Sequence, residues 1–206
     1  MQLVSTTVRH FRLLPTVASL IDPCLMPILA DLHRLLMLHS YRRTRVLRFD
    51  LILHRPQPQQ VDNTCLGLFM HHYRQFLDQR VSGMQYLWVR SDQPGIGTAY
   101  RLVFLLDAAE SCGTPELLEA ACRCWHEATG MSGSFDPCCT KTYRFPIGNG
   151  IVINTDEADW GDAFAYAFRW ASCISLAHGV GLQPFGIRPF GCSIPASEPV
   201  SLLRPA

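Results

Sequence analysis

Alternation and helical spacing divide the middle of the chain into short elements. Leu47, Phe49, Leu51 and Leu53 recur at every second position, with Val46, Arg48, Asp50 and Ile52 between them. A strand over about 45–53 would place each set on its own face. Two charges in mid-strand admit two readings, a solvent-facing ion pair or a sheet face used for binding. Pro27 suits a first helical turn, and Leu29, Leu32, Leu35 and Leu36 follow at helical spacing until Arg42–Arg43. After a polar loop containing Pro56 and Pro58, Asp62 is placed to cap a helix that points Cys65, Phe69, Tyr73 and Phe76 inward and closes at Gly83. Tyr86–Arg90 and Thr98–Leu106 form two strands around the turn Pro94-Gly95-Ile96-Gly97, the pattern of an antiparallel hairpin. Thr114-Pro115 opens a further helix, with Thr114 as cap, Leu118, Cys122 and Trp125 inward and Gly130 as stop. Turn-rich sequence follows, with short strands expected at Thr142–Phe145 and Gly150–Ile153, then a long helix over about 159–178.

This succession predicts an α+β fold, an antiparallel sheet with helices mainly on one face. No internal repeat or interdomain linker interrupts it. Residues 1–40 are expected to be a lead-in with one helix, 41–193 one α+β domain, and 194–206 a loose tail. The chain of 206 residues is long enough for one sizeable core. Its 48% hydrophobic and 17% charged content excludes a disordered or coiled-coil protein. No apolar run spans a bilayer and no signal peptide is recognisable, so no membrane partner and a cytoplasmic location are expected. Nine cysteines without an export signal are expected to be reduced thiols. The net charge of +1 gives no global basic field, although Arg42, Arg43, Arg45 and Arg48 cluster. All basic residues except Lys141 are arginines, a choice suited to bidentate phosphate contacts.

Several segments in order carry a resemblance: Arg48-Phe49-Asp50-Leu51, Tyr86-Leu87-Trp88-Val89-Arg90, Gly97 through Leu106, Trp125, the segment around Tyr166, and Arg188 to Ser193. Together, over about 40–193, they resemble the inovirus replication-protein family and its prophage YagK/YfjJ-type domain, of the His-hydrophobe-His class of rolling-circle initiators. The resemblance implies a ferredoxin- or RRM-like sheet. In such proteins a central strand holds Mg²⁺ or Mn²⁺ on two histidines at i and i+2, and a helix-borne tyrosine attacks a DNA phosphate. Here that strand reads Gly97-Thr98-Ala99-Tyr100-Arg101-Leu102-Val103-Phe104-Leu105, with Ala99 and Arg101 at the histidine positions. A methyl group has no lone pair, and a guanidinium repels cations and has none to donate. No metal and no cofactor are therefore expected.

The segment Phe164-Ala165-Tyr166-Ala167-Phe168-Arg169-Trp170 is similar to the family's tyrosine helix, and Arg169 stands where the family has lysine. Tyr166 and Arg169 are i, i+3 neighbours, while Phe164, Ala167, Phe168 and Ala171 form the core side. The resemblance makes Tyr166 the candidate nucleophile, with Arg169 and Arg101 beside it. It makes Arg48, Arg90, Trp88 and Tyr100 candidates for contacts to single-stranded or nicked DNA. Three functions remain open: a DNA-binding initiator relative with a degenerate metal site, a tyrosine-dependent nicking-joining endonuclease with Arg101 as electrophile, and a non-catalytic interaction or regulatory domain.

Other sites are weaker. Cys122, Cys124, His126, Cys138 and Cys139 have poor zinc spacing, and Cys122 and Cys124 diverge on a helix. His71-His72 diverge likewise, and His54 reads as a surface residue. There is no phosphate-binding G-x-x-x-x-G-K-[ST] loop, and Gly95-x-Gly97 and Ser132-Gly133-Ser134 lack the context of a dinucleotide or hydrolase site.

Overall fold

A computed structural model describes residues 42–54, 62–81, 84–93, 97–108, 112–138, 150–175 and 186–193. The described elements run β1 (Arg43–His54), α1 (Thr64–Asp78), β2 (Met84–Gln93), β3 (Gly97–Asp107), α2 (Thr114–Thr129), β4 (Gly133–Asp136), β5 (Ile151–Asn154), α3 (Trp160–Ala171) and β6 (Phe190–Cys192). The fold is α+β, as expected. All the strand pairs are antiparallel and the sheet runs β4-β1-β3-β2-β6. The first four strands with α1 and α2 reproduce the ferredoxin-like βαββαβ order. β5 extends the sheet beside the opposite end of β1, pairing Arg43–Val46 while β4 pairs Asp50–Leu53.

Each face of the sheet carries its own core. Leu47, Phe49, Leu51 and Leu53 pack with Tyr100, Leu102 and Phe104 under Phe69, Tyr73 and Leu77 of α1 and Leu117, Ala121 and Trp125 of α2. On the other face Val46, Val89, Val103, Leu105 and Ile153 pack against Phe164, Ala167, Phe168 and Ala171 of α3. The helices thus divide two to one, because the sheet is apolar on both faces and each face needs a cover.

Local chemistry accounts for several boundaries. The N-cap of α1 is Asn63, not Asp62. Asp62 instead turns the chain one residue ahead, where its carboxylate accepts from the Thr64 amide at 3.0 Å and the Thr64 hydroxyl at 2.7 Å. In α2 the cap is Gly113, and Pro115 lies within the first turn, where no amide donor is needed. The buried line of α2 runs through Leu117, Ala120, Ala121, Cys124 and Trp125. It replaces the expected line of Leu118 and Cys122, since both lines share Trp125 and packing on the sheet and α1 selects between them. Gly130 ends α2 in the left-handed conformation, at φ 57°.

Two short strands were not foreseen, β4 and β6. Both begin or pivot on a glycine that admits an indole. A Cβ on Gly133 would lie 2.3 Å from Nε1 of Trp125, and one on Gly191 would lie 2.8 Å from Nε1 of Trp88. α3 gives way to a 3-10 turn, Ser172–Ser175, where the Ser172 hydroxyl donates back to the Phe168 carbonyl at 2.6 Å. The expected helix after Pro27, the strand at 142–145, the stop at Gly83, Cys139 and the tail lie outside the described residues. Among the described residues no helix is long and apolar enough to cross a membrane, and Cys65, Cys112, Cys122, Cys124, Cys138 and Cys192 are free thiols.

Candidate functional site

Strand parity decides which polar side chains meet. In the central pair β1–β3, Asp50 lies opposite Arg101 and Ile52 opposite Ala99. Arg48 is two residues from Asp50 along β1, so all five residues share the sheet face on which α3 packs. The apolar patch under α3 ends at Val103 and Val89, and the polar group overlaps that edge: Arg48 lies opposite Val103, and Val89 opposite Arg101.

Asp50 is the centre of that group. Its Oδ1 is 4.0 Å from Nη2 of Arg48 and its Oδ2 is 3.9 Å from Nε of Arg101. The Cys138 thiol donates a hydrogen bond to the same carboxylate. Cys138 reaches it from just past β4, in a left-handed conformation at φ 53°, held by its own amide donating to Asp136 Oδ1 at 2.8 Å. Asp136 lies opposite Asp50 across the β1–β4 pair. Burial raises the pKa of Asp50 against the lowering pull of Arg48 and then Arg101. Burial also pushes the Cys138 thiol far above its ordinary range, so it remains protonated and is not a thiolate nucleophile. The side chains of Arg48, Asp50 and Arg101 are 13%, 20% and 11% exposed, so each keeps a window to solvent. The sheet-borne pair Arg48–Asp50 is therefore neither an open surface ion pair nor a sealed one. Arg48 Nε and Asp50 Oδ1 are buried without a hydrogen-bond partner among the described residues.

Arg90, Trp88 and Tyr100 lie on the opposite face, under α1 and α2. Arg90 is 2% exposed. Its Nε donates to Asp92 Oδ2 at 3.0 Å, its Nη1 to the Asp62 carbonyl at 3.1 Å and to Asn63 Oδ1 at 3.0 Å, and its Nη2 to Asp92 Oδ1 at 3.1 Å. The Thr98 hydroxyl closes the group on Asp92 Oδ1 at 2.6 Å. The Tyr100 hydroxyl donates to the Asp62 carbonyl at 3.3 Å, and its ring packs edge-on to Trp88 and to Trp125. Burial pushes the Tyr100 phenol up to about 12, with Arg90 pulling the other way. These three residues were expected to contact DNA. Their burial corrects that expectation: Arg90 and Tyr100 tie β2 and β3 to the start of α1, and Trp88 packs against Tyr100 and Gly191. Parity is the reason, since Arg90 pairs with Tyr100 while Val89 pairs with Arg101.

Tyr166 and Arg169 lie on α3, on the same sheet face as Arg101. Tyr166 is half-buried against the α3 core and its hydroxyl is shielded from solvent. Arg169 is half-buried, and its Nε donates to the Ala165 carbonyl at 3.3 Å. A nucleophile attacking a DNA phosphate needs an exposed oxygen, and this arrangement does not present one.

Ala99 and Arg101, at the two positions where the resemblance implies metal ligands, do not fit a divalent ion. Ala99 offers no donor atom, and the Arg101 guanidinium is paired to the neighbouring carboxylate, Asp50. Among the described residues no group of three or more His, Cys, Asp or Glu side chains is gathered for a metal. Cys122 is half-exposed, with Sγ 3.9 Å from Nδ1 of His126, whereas Cys124 is buried. His72 pairs with Glu127 at 3.3 Å and His71 contacts Gln75 at 3.2 Å, while the two rings, expected to diverge, lie edge to face with centroids 5.7 Å apart. His54 contacts the Ser134 hydroxyl at 2.8 Å on an exposed edge.

Asp136, Cys138, Asn63 and Asp92 were missed as members of these groups. Asp136 and Cys138 depend on β4, a four-residue strand with no hydrophobic alternation to announce it. Compared with models of protein families, with curated proteins and with solved structures, the chain matches none.

Proposed function

We propose that this chain is a phage- or prophage-derived, replication-initiator-like DNA-binding protein that holds single-stranded or nicked DNA without metal-dependent nicking. The observation that carries the reading is the pair Arg48 and Arg101, on the central strands of a ferredoxin-like sheet, on the face that α3 shares, each keeping a small part of its side chain exposed. Guanidinium groups on a sheet face suit backbone phosphates, and the salt-dependent release of counterions would supply most of the affinity. The resemblance to inovirus replication proteins, with the tyrosine helix on the same face, supports the choice of DNA. The missing donors at Ala99 and Arg101 and the shielded Tyr166 hydroxyl support binding without cleavage.

Fluorescence anisotropy with a labelled thymidine oligomer and with nicked duplex, across a salt series, tests the reading. The expected result is binding at low salt that weakens in Arg48→Ala and Arg101→Ala, with the salt slope falling by roughly 1 for each arginine removed. Absence of binding at low salt would overturn it and favour a protein-interaction or regulatory domain. A nicking assay on supercoiled and single-stranded DNA with Mg²⁺ or Mn²⁺ is expected to give no product. Product that disappears in Tyr166→Phe would instead establish a nicking-joining endonuclease.

A further inference from the structure

The segment 186–193 closes one edge of the sheet. β6 sets Phe190 opposite Val89, Gly191 opposite Trp88 and Cys192 opposite Leu87, and without it β2 would be the outermost strand. Main-chain bonds flank the pairing: the Arg90 amide donates to the Pro189 carbonyl at 2.7 Å, and the Ser193 amide to the Tyr86 carbonyl at 3.0 Å. Two side chains add to it. The Ser193 hydroxyl accepts from the Tyr86 amide at 2.9 Å, and Asn63 Nδ2 donates to the Arg188 carbonyl at 3.1 Å. Phe190 and Cys192 are only partly buried against the α3 core, and Gly186 and Arg188 are exposed. At the middle of the pairing lies a filter for size. A Cβ on Gly191 would come within 2.8–2.9 Å of Nε1, Cε2 and Cζ2 of Trp88. The indole belongs to the core under α1 and α2 and packs edge-on to Tyr100, so it has little room to yield. A strand lying here in this register therefore needs glycine opposite Trp88.

We propose that the β2 edge is a strand-docking site, filled here by the chain's own residues 186–193, and that the partner it fits is the same segment of a second copy. In such a site the main-chain bonds supply affinity and the side-chain pocket supplies selectivity. An edge strand of ten residues, once uncovered, is a template for another chain. The second copy is the occupant because its segment already matches the edge in register, in the glycine at Trp88 and in the hydroxyl at Tyr86. Exchange of an identical element between copies keeps every one of these contacts, so it is a low-cost route to a dimer. Ten residues lie between Ser175 and Gly186, a covalent reach of up to about 36 Å, which permits the exchange. The proposal does not rest on the DNA-binding reading.

The test uses a labelled synthetic peptide of residues 186–193, under reducing conditions, with the full-length chain. Gly191→Val in the chain removes its own segment from the edge and is expected to raise affinity for the peptide about tenfold over wild type, because the competing segment no longer occupies the site. Equal affinity of the two chains, or no binding to the variant, would overturn the proposal. So would a peptide that carries valine at position 191 and binds the variant as tightly as the native peptide. Should Gly191→Val fail to fold, Ser193→Ala serves instead: it loses the hydroxyl that holds the Tyr86 amide, and it is expected to bind the peptide more tightly than wild type. Affinity equal to wild type would count against the site. The second copy is tested by mixing two wild-type preparations that carry different fluorophores. Energy transfer that grows with concentration and is suppressed by excess peptide supports exchange. Absence of transfer, or transfer indifferent to the peptide, overturns the assignment of the partner.

Discussion

The two arginine–aspartate groups on this sheet use the same residue types for opposite ends. Arg90 with Asp92, Asn63, Thr98 and Tyr100 is sealed under α1 and α2, with hydrogen bonds near 3.0 Å from each guanidinium nitrogen. Arg48 and Arg101 with Asp50 lie on the other face, at about 4 Å and partly open to water. A buried charge must be fully bonded or it destabilises the fold, so the Arg90 group is committed to structure. An ion pair held at about 4 Å with part of each side chain exposed is less tightly committed to the fold than one bonded near 3.0 Å from every nitrogen. Arginines equally conspicuous in the sequence are thus divided, by burial and geometry, into one that builds the fold and two to which the proposed function gives a ligand.

The largest expected effect breaks the sealed group. Arg90→Leu strands Asp92 and the Asn63 side chain and is expected to cost roughly 3–5 kcal/mol in urea denaturation. Arg90→Lys should recover little of that, because a single ammonium cannot reproduce donors from Nε, Nη1 and Nη2. Arg48→Leu, in contrast, leaves Asp50 with Arg101 as a partner and should cost less than Arg90→Leu while weakening DNA binding. Equal stability losses at the two sites would erase the distinction. Tyr100→Phe removes only the hydroxyl that donates to the Asp62 carbonyl, and should cost about 1 kcal/mol.

The smallest effect concerns pH. Burial raises the pKa of Asp50 in the folded chain above its unfolded value. The folded state therefore holds that proton more tightly, and the stability contributed is complete below the unfolded pKa. It is lost as pH rises through the folded pKa. Asn at position 50 cannot titrate. The stability of wild type relative to Asp50→Asn, from urea denaturation at several pH values, should therefore fall as pH rises through that window. A difference that is flat with pH would show that Asp50 is not held in this way. Asp62 moves in the opposite direction, since the Thr64 hydroxyl and amide stabilise its charge and lower its pKa. Its contribution is present above the unfolded pKa and fades as pH falls through the folded one.

Much of the architecture was legible along the chain because apolar side chains repeat with the period of the backbone that carries them. The alternation from Val46 to Leu53 marked β1 and assigned each residue to a face. The glycine-proline turn marked the β2–β3 hairpin, and the spacing of Phe164, Ala167, Phe168 and Ala171 marked the core side of α3. β4 and β6 were not legible: three or four residues carry no measurable period, and their glycines answer to distant indole rings. The candidate site was half legible. Arg48, Asp50 and Arg101 were recognisable as misplaced polarity in apolar strands, whereas Arg90, Trp88 and Tyr100 were assigned to the wrong face.

The sequence by itself determined the α+β class, the alternation of β1 and the absence of lone pairs at positions 99 and 101, because these follow from side-chain chemistry and local periodicity. Only the tertiary structure decided which arginine was sealed and which was left within reach of solvent. That choice depends on how β2 and β4 register against β3 and β1 and on which helix covers each face, and a one-residue shift in register exchanges the two faces.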